Sequence, residues 1–189
     1  MVNYILYKRI QESSMQKSLP TLYNYTNTDL VIIGTSQVLK EYQKKLSNAN
    51  ESTNKIAKFS IKNPFCSSSD TRPYTIDEYL WLLQEHSEIE EEVLVYSLAL
   101  ILRFLGEMKL LGKINFLKLI AVTQFISQKM HLDSGLWTST DFGSFSGLSQ
   151  ERLLELEIEF AKLLKFNLFV SKKEFNRVFK MIKSEVKDL

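Results

Sequence analysis

One cysteine, three prolines and two histidines occur among the 189 residues, and each scarcity removes a class of explanation. Cys66 stands alone, so no disulfide forms within the chain, and with His86 and His131 it supplies too few ligands for an ordinary tetrahedral zinc site. Such cysteine usage fits a reducing compartment. The six glycines, at 34, 106, 112, 135, 143 and 147, never take the spacing of a phosphate-cradling loop, so a nucleotide-binding enzyme is not expected. Neither sign of charge is in excess: 24 basic against 22 acidic residues give +2, too little to expect a nucleic-acid partner. Long apolar runs are missing too. The best stretch, Asn115 to His131, spans roughly 25 Å as a helix and carries Lys118, Gln124, Gln128 and Lys129, which argues against a membrane span. The opening MVNYILYKRI has no small-residue cleavage site after its broken apolar run, so an intracellular protein of cytoplasm or nucleus is expected.

With 44% hydrophobic and 24% charged residues, the chain can bury one good core. Phe116, Leu117, Leu119, Ile120, Val122, Phe125, Ile126 and Met130 put apolar groups on nearly every face of one helix, which predicts a central helix enclosed by others. Before it, residues 1–30 read as a lead-in of little period, and Thr35 to Leu46 as a short amphipathic helix that either pads the core or meets a partner. Ser47 to Asn54 reads as polar linker. Lys55 to Thr71 reads as chain ending in an exposed loop, where Ser67, Ser68 and Ser69 are candidates for phosphorylation. The expected division is an N-terminal extension over 1–72 and a globular domain over 73–189.

From Pro73 onward, Thr75 with Glu78, Ser87 with Glu90 and Ser171 with Glu174 each have the Ser/Thr-x-x-Glu spacing of a capping box. In that motif a hydroxyl and a carboxylate satisfy otherwise unpaired amides of the first turn. The boxes predict helices over Ile76 to His86, Glu88 to Met108 and Lys172 to Lys187. After the central helix comes a Gly- and Ser-rich stretch read as loop, and Ser149 caps a further helix to about Lys165, with Leu153, Leu156, Phe160, Leu163 and Leu164 on its buried stripe. Five helices and no alternating strand pattern predict an all-α bundle.

That layout, with particular residues, resembles a cyclin box. LILRFL at Leu100 to Leu105 is similar to the end of the family's second helix, keeping Arg103 and Phe104; FISQKM at Phe125 to Met130 is similar to the end of the third. LELEIEFAKLLKFNLFVS, Leu154 to Ser171, resembles the family's Leu-Glu-x-x-Phe-Leu-x-x-Leu-x-Phe-x-Leu run. The Phe-Asn-Leu-Phe-Val ending, the Gly-Leu-Ser lead into the fourth helix and the lack of a second repeat look most like the P-type, phosphate-response-type cyclins, which have a single box. The resemblance implies a non-catalytic regulatory subunit that binds and activates a cyclin-dependent Ser/Thr protein kinase, with no cofactor. The alternative is a cyclin-fold scaffold or adaptor for a non-kinase protein or transcription factor.

Carried over from the family, Lys129 falls on the lysine ending the third helix and Glu157 on the glutamate of the fourth, the two side chains that would bind the kinase. Without the resemblance both read as solvated charges on amphipathic helices. The chain also departs from the family: Leu102 stands where an Asp usually neighbours the Arg, Leu82 where P-type cyclins often have Arg, and Ser127 with Gln128 where Ala-Ser is usual. The substrate-docking sequence of cell-cycle cyclins is absent, and the pathway stays open among cell cycle, transcription and nutrient response. Trp81, with Tyr79, Leu82 and Leu83, is either core or a partner-facing patch, and Trp137 either caps the bundle or anchors a partner. His86 and His131 read as cations near helix C-termini, and Cys66 as a surface or half-buried thiol rather than a nucleophile.

Overall fold

Thr26 and Asp29 cap one another: the Thr26 amide donates to the Asp29 carboxylate at 2.9 Å, and the Asp29 amide to the Thr26 hydroxyl at 3.1 Å. From that cap the first helix, α1, runs Asn27–Glu51. This computed structural model describes residues 26–51, 63–66, 74–107, 114–131 and 137–187. The helix is longer than Thr35 to Leu46 at both ends. Val31 and Ile32 are buried and reward an earlier start, while the Ser47 hydroxyl turns back on the Gln43 carbonyl at 3.0 Å, so the polar stretch continues the helix instead of breaking it.

A 3₁₀ turn, Pro64–Cys66, follows, and Phe65 in it, just before the stretch expected as an exposed loop, is fully buried. Its ring lies edge-on to Phe104 (5.3 Å between centroids) and Phe160 (6.0 Å), which stack on each other at 5.4 Å. Ser67, Ser68 and Ser69 lie outside the described residues, as do residues 1–25.

The capping box of Thr75 and Glu78 forms as its spacing predicts and starts α2, Ile76–Ser87. Ser87 does not cap the next helix. It is the last residue of α2, its hydroxyl donates to the Leu83 carbonyl, and Glu88 ends the helix in the left-handed region at φ 44°. Helix α3 therefore begins later, at Glu91–Glu107, with the Glu90 carbonyl accepting from Val93 and Leu94. Next is α4, Phe116–His131, whose first amides, Leu117 and Lys118, donate to the Asn115 side chain at 3.1 and 3.2 Å. The stretch read as loop holds a sixth helix beyond Pro73, α5, Ser139–Ser146, built on a reciprocal cap between Thr138 and Asp141 and ended by Gly147 at φ 79°. Then come α6, Gln150–Leu163, capped by Ser149, and α7, Lys172–Lys187. At α7 only half of the expected box forms: the Glu174 amide donates to the Ser171 hydroxyl at 3.3 Å, while the Glu174 carboxylate is committed to Arg103.

The described residues form seven α-helices and no strand, an all-α fold. Helix α4 is its centre, buried on nearly every side and packed against α2, α3, α6 and the 3₁₀ turn. Even its polar groups are enclosed: the Thr123 hydroxyl lies 2.8 Å from that of Ser97 on α3. Met130, expected among the apolar faces, is half exposed instead. Helix α1 lies along α7 and also touches α2 and α3, and Asp77 at the start of α2 receives both Ser36 and Lys40 of α1. No described helix is long and apolar enough to cross a membrane.

Candidate partner-binding face

The end of α4 meets the middle of α6 at the surface. Lys129, in the last turn of α4, forms an ion pair with the Glu157 carboxylate of α6, and its ammonium lies 4.6 Å from the Phe125 ring centroid. The Lys129 side chain is 44% exposed and that of Glu157 20%, so the pair is open to a partner on one side and supported on the other. A cation in the last turn of a helix is also where the helix dipole favours it.

Apolar groups stand in solvent around this pair. Met130 follows Lys129, and Leu154 and Ile158, one helical turn apart and flanking Glu157 on α6, are both exposed. Beyond α6 the chain turns through Lys165 and Phe166, both left-handed at φ 52° and 60°, and leaves Phe166 and Phe169 each 70% exposed. Holding two non-glycine residues there costs conformational energy, which fixed contacts must offset. They come from α3. The Tyr96 hydroxyl donates to the Leu168 carbonyl at 2.8 Å and accepts from the Val170 amide at 3.0 Å. Two turns on, Arg103 donates to the carbonyls of Asn167 (2.5 Å) and Phe169 (3.0 Å) and pairs with Glu174 at 2.5 Å. Leu102 therefore does not leave Arg103 without an acid; the acid comes from α7. Sequence reasoning missed this clamp, because its partners lie more than 60 residues away and two of them are backbone carbonyls.

The structure brings Lys129 and Glu157 together and places the tryptophans elsewhere. Trp81 is half-buried against the core on α2, beside buried Tyr79, Leu82 and Leu83. The Trp137 indole donates to the Ser87 carbonyl at 3.1 Å, closing the C-terminal end of α2, and meets the Phe145 ring edge-on at 5.6 Å. Phe142 is fully buried, and His86 stacks on Phe145. His131 lies edge-on to Tyr96 at 4.6 Å, with Nδ1 2.9 Å from the Ser127 carbonyl oxygen. Gln128 is buried in α4. Among the described residues no group of three or more His, Cys, Asp or Glu is placed to hold a metal.

No curated protein matches the chain. A family model described as cyclin matches residues 12–168, a span that includes α1 through α6 and the start of the turn after it. Members of that family are regulatory proteins, not enzymes in themselves. The chain belongs to the cyclin family.

Proposed function

We propose that this cyclin is the activating subunit of a cyclin-dependent Ser/Thr protein kinase, which docks on the face formed by the end of α4 and the middle of α6. The observation that carries the reading is the Lys129–Glu157 pair, surface-accessible and ringed by the exposed apolar side chains of Met130, Leu154 and Ile158. Charged groups that lose water in an apolar surround make stronger hydrogen bonds than neutral ones, so such a pair gives register and specificity to a docked helix. Phe166 and Phe169, held out by the α3 clamp, are further exposed apolar side chains beyond the end of α6; exposed apolar groups of this kind are characteristic of an interaction site. The chemistry belongs to the partner kinase. The P-type assignment, the division into an extension over 1–72 and a domain over 73–189, and an intracellular setting belong to the same proposal. The first rests on the sequence resemblance, the second on the polar and Ser-rich stretches before Pro73, and the third on the lone cysteine.

The test is capture of partners from a lysate of the source cells with the native chain and with a Lys129→Glu, Glu157→Lys double variant, followed by a protein-kinase assay of the bound fractions. Ser/Thr kinase activity retained by the native chain and lost with the variant, at unchanged helicity, is the expected result. Equal capture by both, with no kinase among the captured proteins, overturns the proposal in favour of a scaffold.

A further inference from the structure

Helix α7 presents a second surface, of different chemistry. Lys172, Lys173, Arg177, Lys180, Lys183 and Lys187 are all exposed, while its two acids are turned elsewhere, Glu174 onto Arg103 and Glu185 into a half-buried position. Spacings of three and four residues keep these cations on one side of the helix, opposite buried Val178, Ile182 and Val186, over a length of roughly 24 Å at ~1.5 Å per residue. None of the six forms an ion pair with another described residue. Other exposed helix faces carry matched cations: Lys45 with Glu41, Arg152 with Glu155, Lys162 with Glu159.

Fold stability does not account for this face. Like charges at steps of three and four repel, as Lys173 and Arg177, Arg177 and Lys180, or Lys183 and Lys187 must, and Lys172 and Lys173 sit at the positive end of the helix dipole. The repulsion is relieved when an anionic partner lies along the helix. We infer that the outer face of α7 is a docking site for an acidic, Asp- and Glu-rich polypeptide segment, separate from the Lys129–Glu157 face and independent of what binds there.

Three observations favour a polypeptide over the other polyanions. The apolar side of α7 is spent in the core, so it offers nothing to insert between lipids as an interfacial helix does. Its aromatics, Phe175 and Phe179, are half-buried, and Lys183 covers the Phe179 ring at 4.3 Å, which leaves no open platform for stacking bases. The chain as a whole carries only +2, with exposed acids at Glu85, Glu88, Glu90 and Glu92, so it lacks the broad positive field of a nucleic-acid binder.

The test is fluorescence anisotropy of the full chain with a labelled, Glu- and Asp-rich peptide of about ten residues, long enough at ~3.3 Å per residue to run the length of α7. A Lys173→Glu, Arg177→Glu, Lys180→Glu variant is compared with a Lys44→Glu, Lys45→Glu, Lys162→Glu variant of the same net charge, with helicity checked in both. The expected result is binding at low salt, weakened about tenfold or more by the α7 variant, changed less than about twofold by the control, and lost near 0.5 M salt, where the screening length falls to several Å. No binding at low salt overturns the proposal, as does equal weakening by both variants. Tighter binding of a single-stranded DNA or an anionic vesicle than of the peptide at matched charge overturns it too, in favour of those partners.

Discussion

Arg103 on α3 and Glu174 on α7 are joined at 2.5 Å, with side chains only 15% and 21% exposed, across the turn that carries Phe166 and Phe169. One guanidinium thus ties an acid and two backbone carbonyls, using the planar fork that lysine lacks. Arg103→Ala leaves a largely buried carboxylate and two carbonyls short of donors, so unfolding stability falls by about 2–4 kcal/mol, read as an earlier urea midpoint. Arg103→Lys recovers less than half of it, because one ammonium does not span all three acceptors. A midpoint unchanged in Arg103→Ala would show that the clamp carries no weight.

Gly34 marks a close approach of α1 to α7. A Cβ at this position would fall 2.6 Å from both Ile182 Cγ2 and the Ile182 carbonyl oxygen, and a backbone atom cannot turn aside. Gly34→Ala is expected to destabilise the chain by about 1–3 kcal/mol through overpacking, and adding Ile182→Ala does not rescue it, because the carbonyl remains. Gly106, near the end of α3, gives the opposite sign, since a Cβ there would meet nothing within 4 Å. Gly106→Ala stabilises by about 0.5–1 kcal/mol through helix propensity. Thermal unfolding of the two variants separates the cases.

What could be read in the sequence was periodicity and one kind of cap. Helix α4 was legible because apolar residues occupy every face of it, and Thr75 with Glu78 announced α2 correctly. Two helix starts were not legible as Ser/Thr-x-x-Glu boxes, because Thr26 with Asp29 and Thr138 with Asp141 use aspartate in place of glutamate. The shorter acid closes the same two bonds, so a Thr-x-x-Asp pattern marks α5 and the true start of α1. Ser87 misled because a serine also satisfies itself on the carbonyl four residues back and so ends a helix as readily as it begins one. The clamp around Arg103 and the placing of Phe65 depend on long-range packing, which carries no local pattern. Lys129 and Glu157 were legible only through family resemblance, since spacing alone gives no reason to pair them.

Burial pushes the Cys66 thiol above its ordinary range. Its neutral form is the one the fold favours, so the contribution is fully present below the thiol range of the unfolded chain and is lost as pH rises from there through the raised native range. Alkylation by iodoacetamide at pH 8 is therefore expected to be several-fold slower in the native protein than after denaturation in urea. Equal rates in the two states would show that Phe65 and its neighbours do not shelter the sulfur.

Lys129 and Glu157 should matter little to folding, and this keeps the functional test interpretable. The Lys129 side chain is 44% exposed, and an ion pair open to solvent on one side contributes about 0–1 kcal/mol, its contact with the Phe125 ring included. Lys129→Ala is expected to lower unfolding stability by about 1 kcal/mol or less. Glu157→Ala should cost about the same. A double-mutant cycle by urea denaturation should give a coupling below about 1 kcal/mol, falling further as salt is raised. The exchanged variant, Lys129→Glu with Glu157→Lys, keeps an opposite-charge pair and should unfold within about 1 kcal/mol of the native chain. A partner that has read the position of each charge meets the wrong sign at both, so loss of binding without loss of fold is the signature of a recognition pair. A coupling of about 3 kcal/mol or more would instead make the pair a structural element, and the binding defect of any variant would then report unfolding.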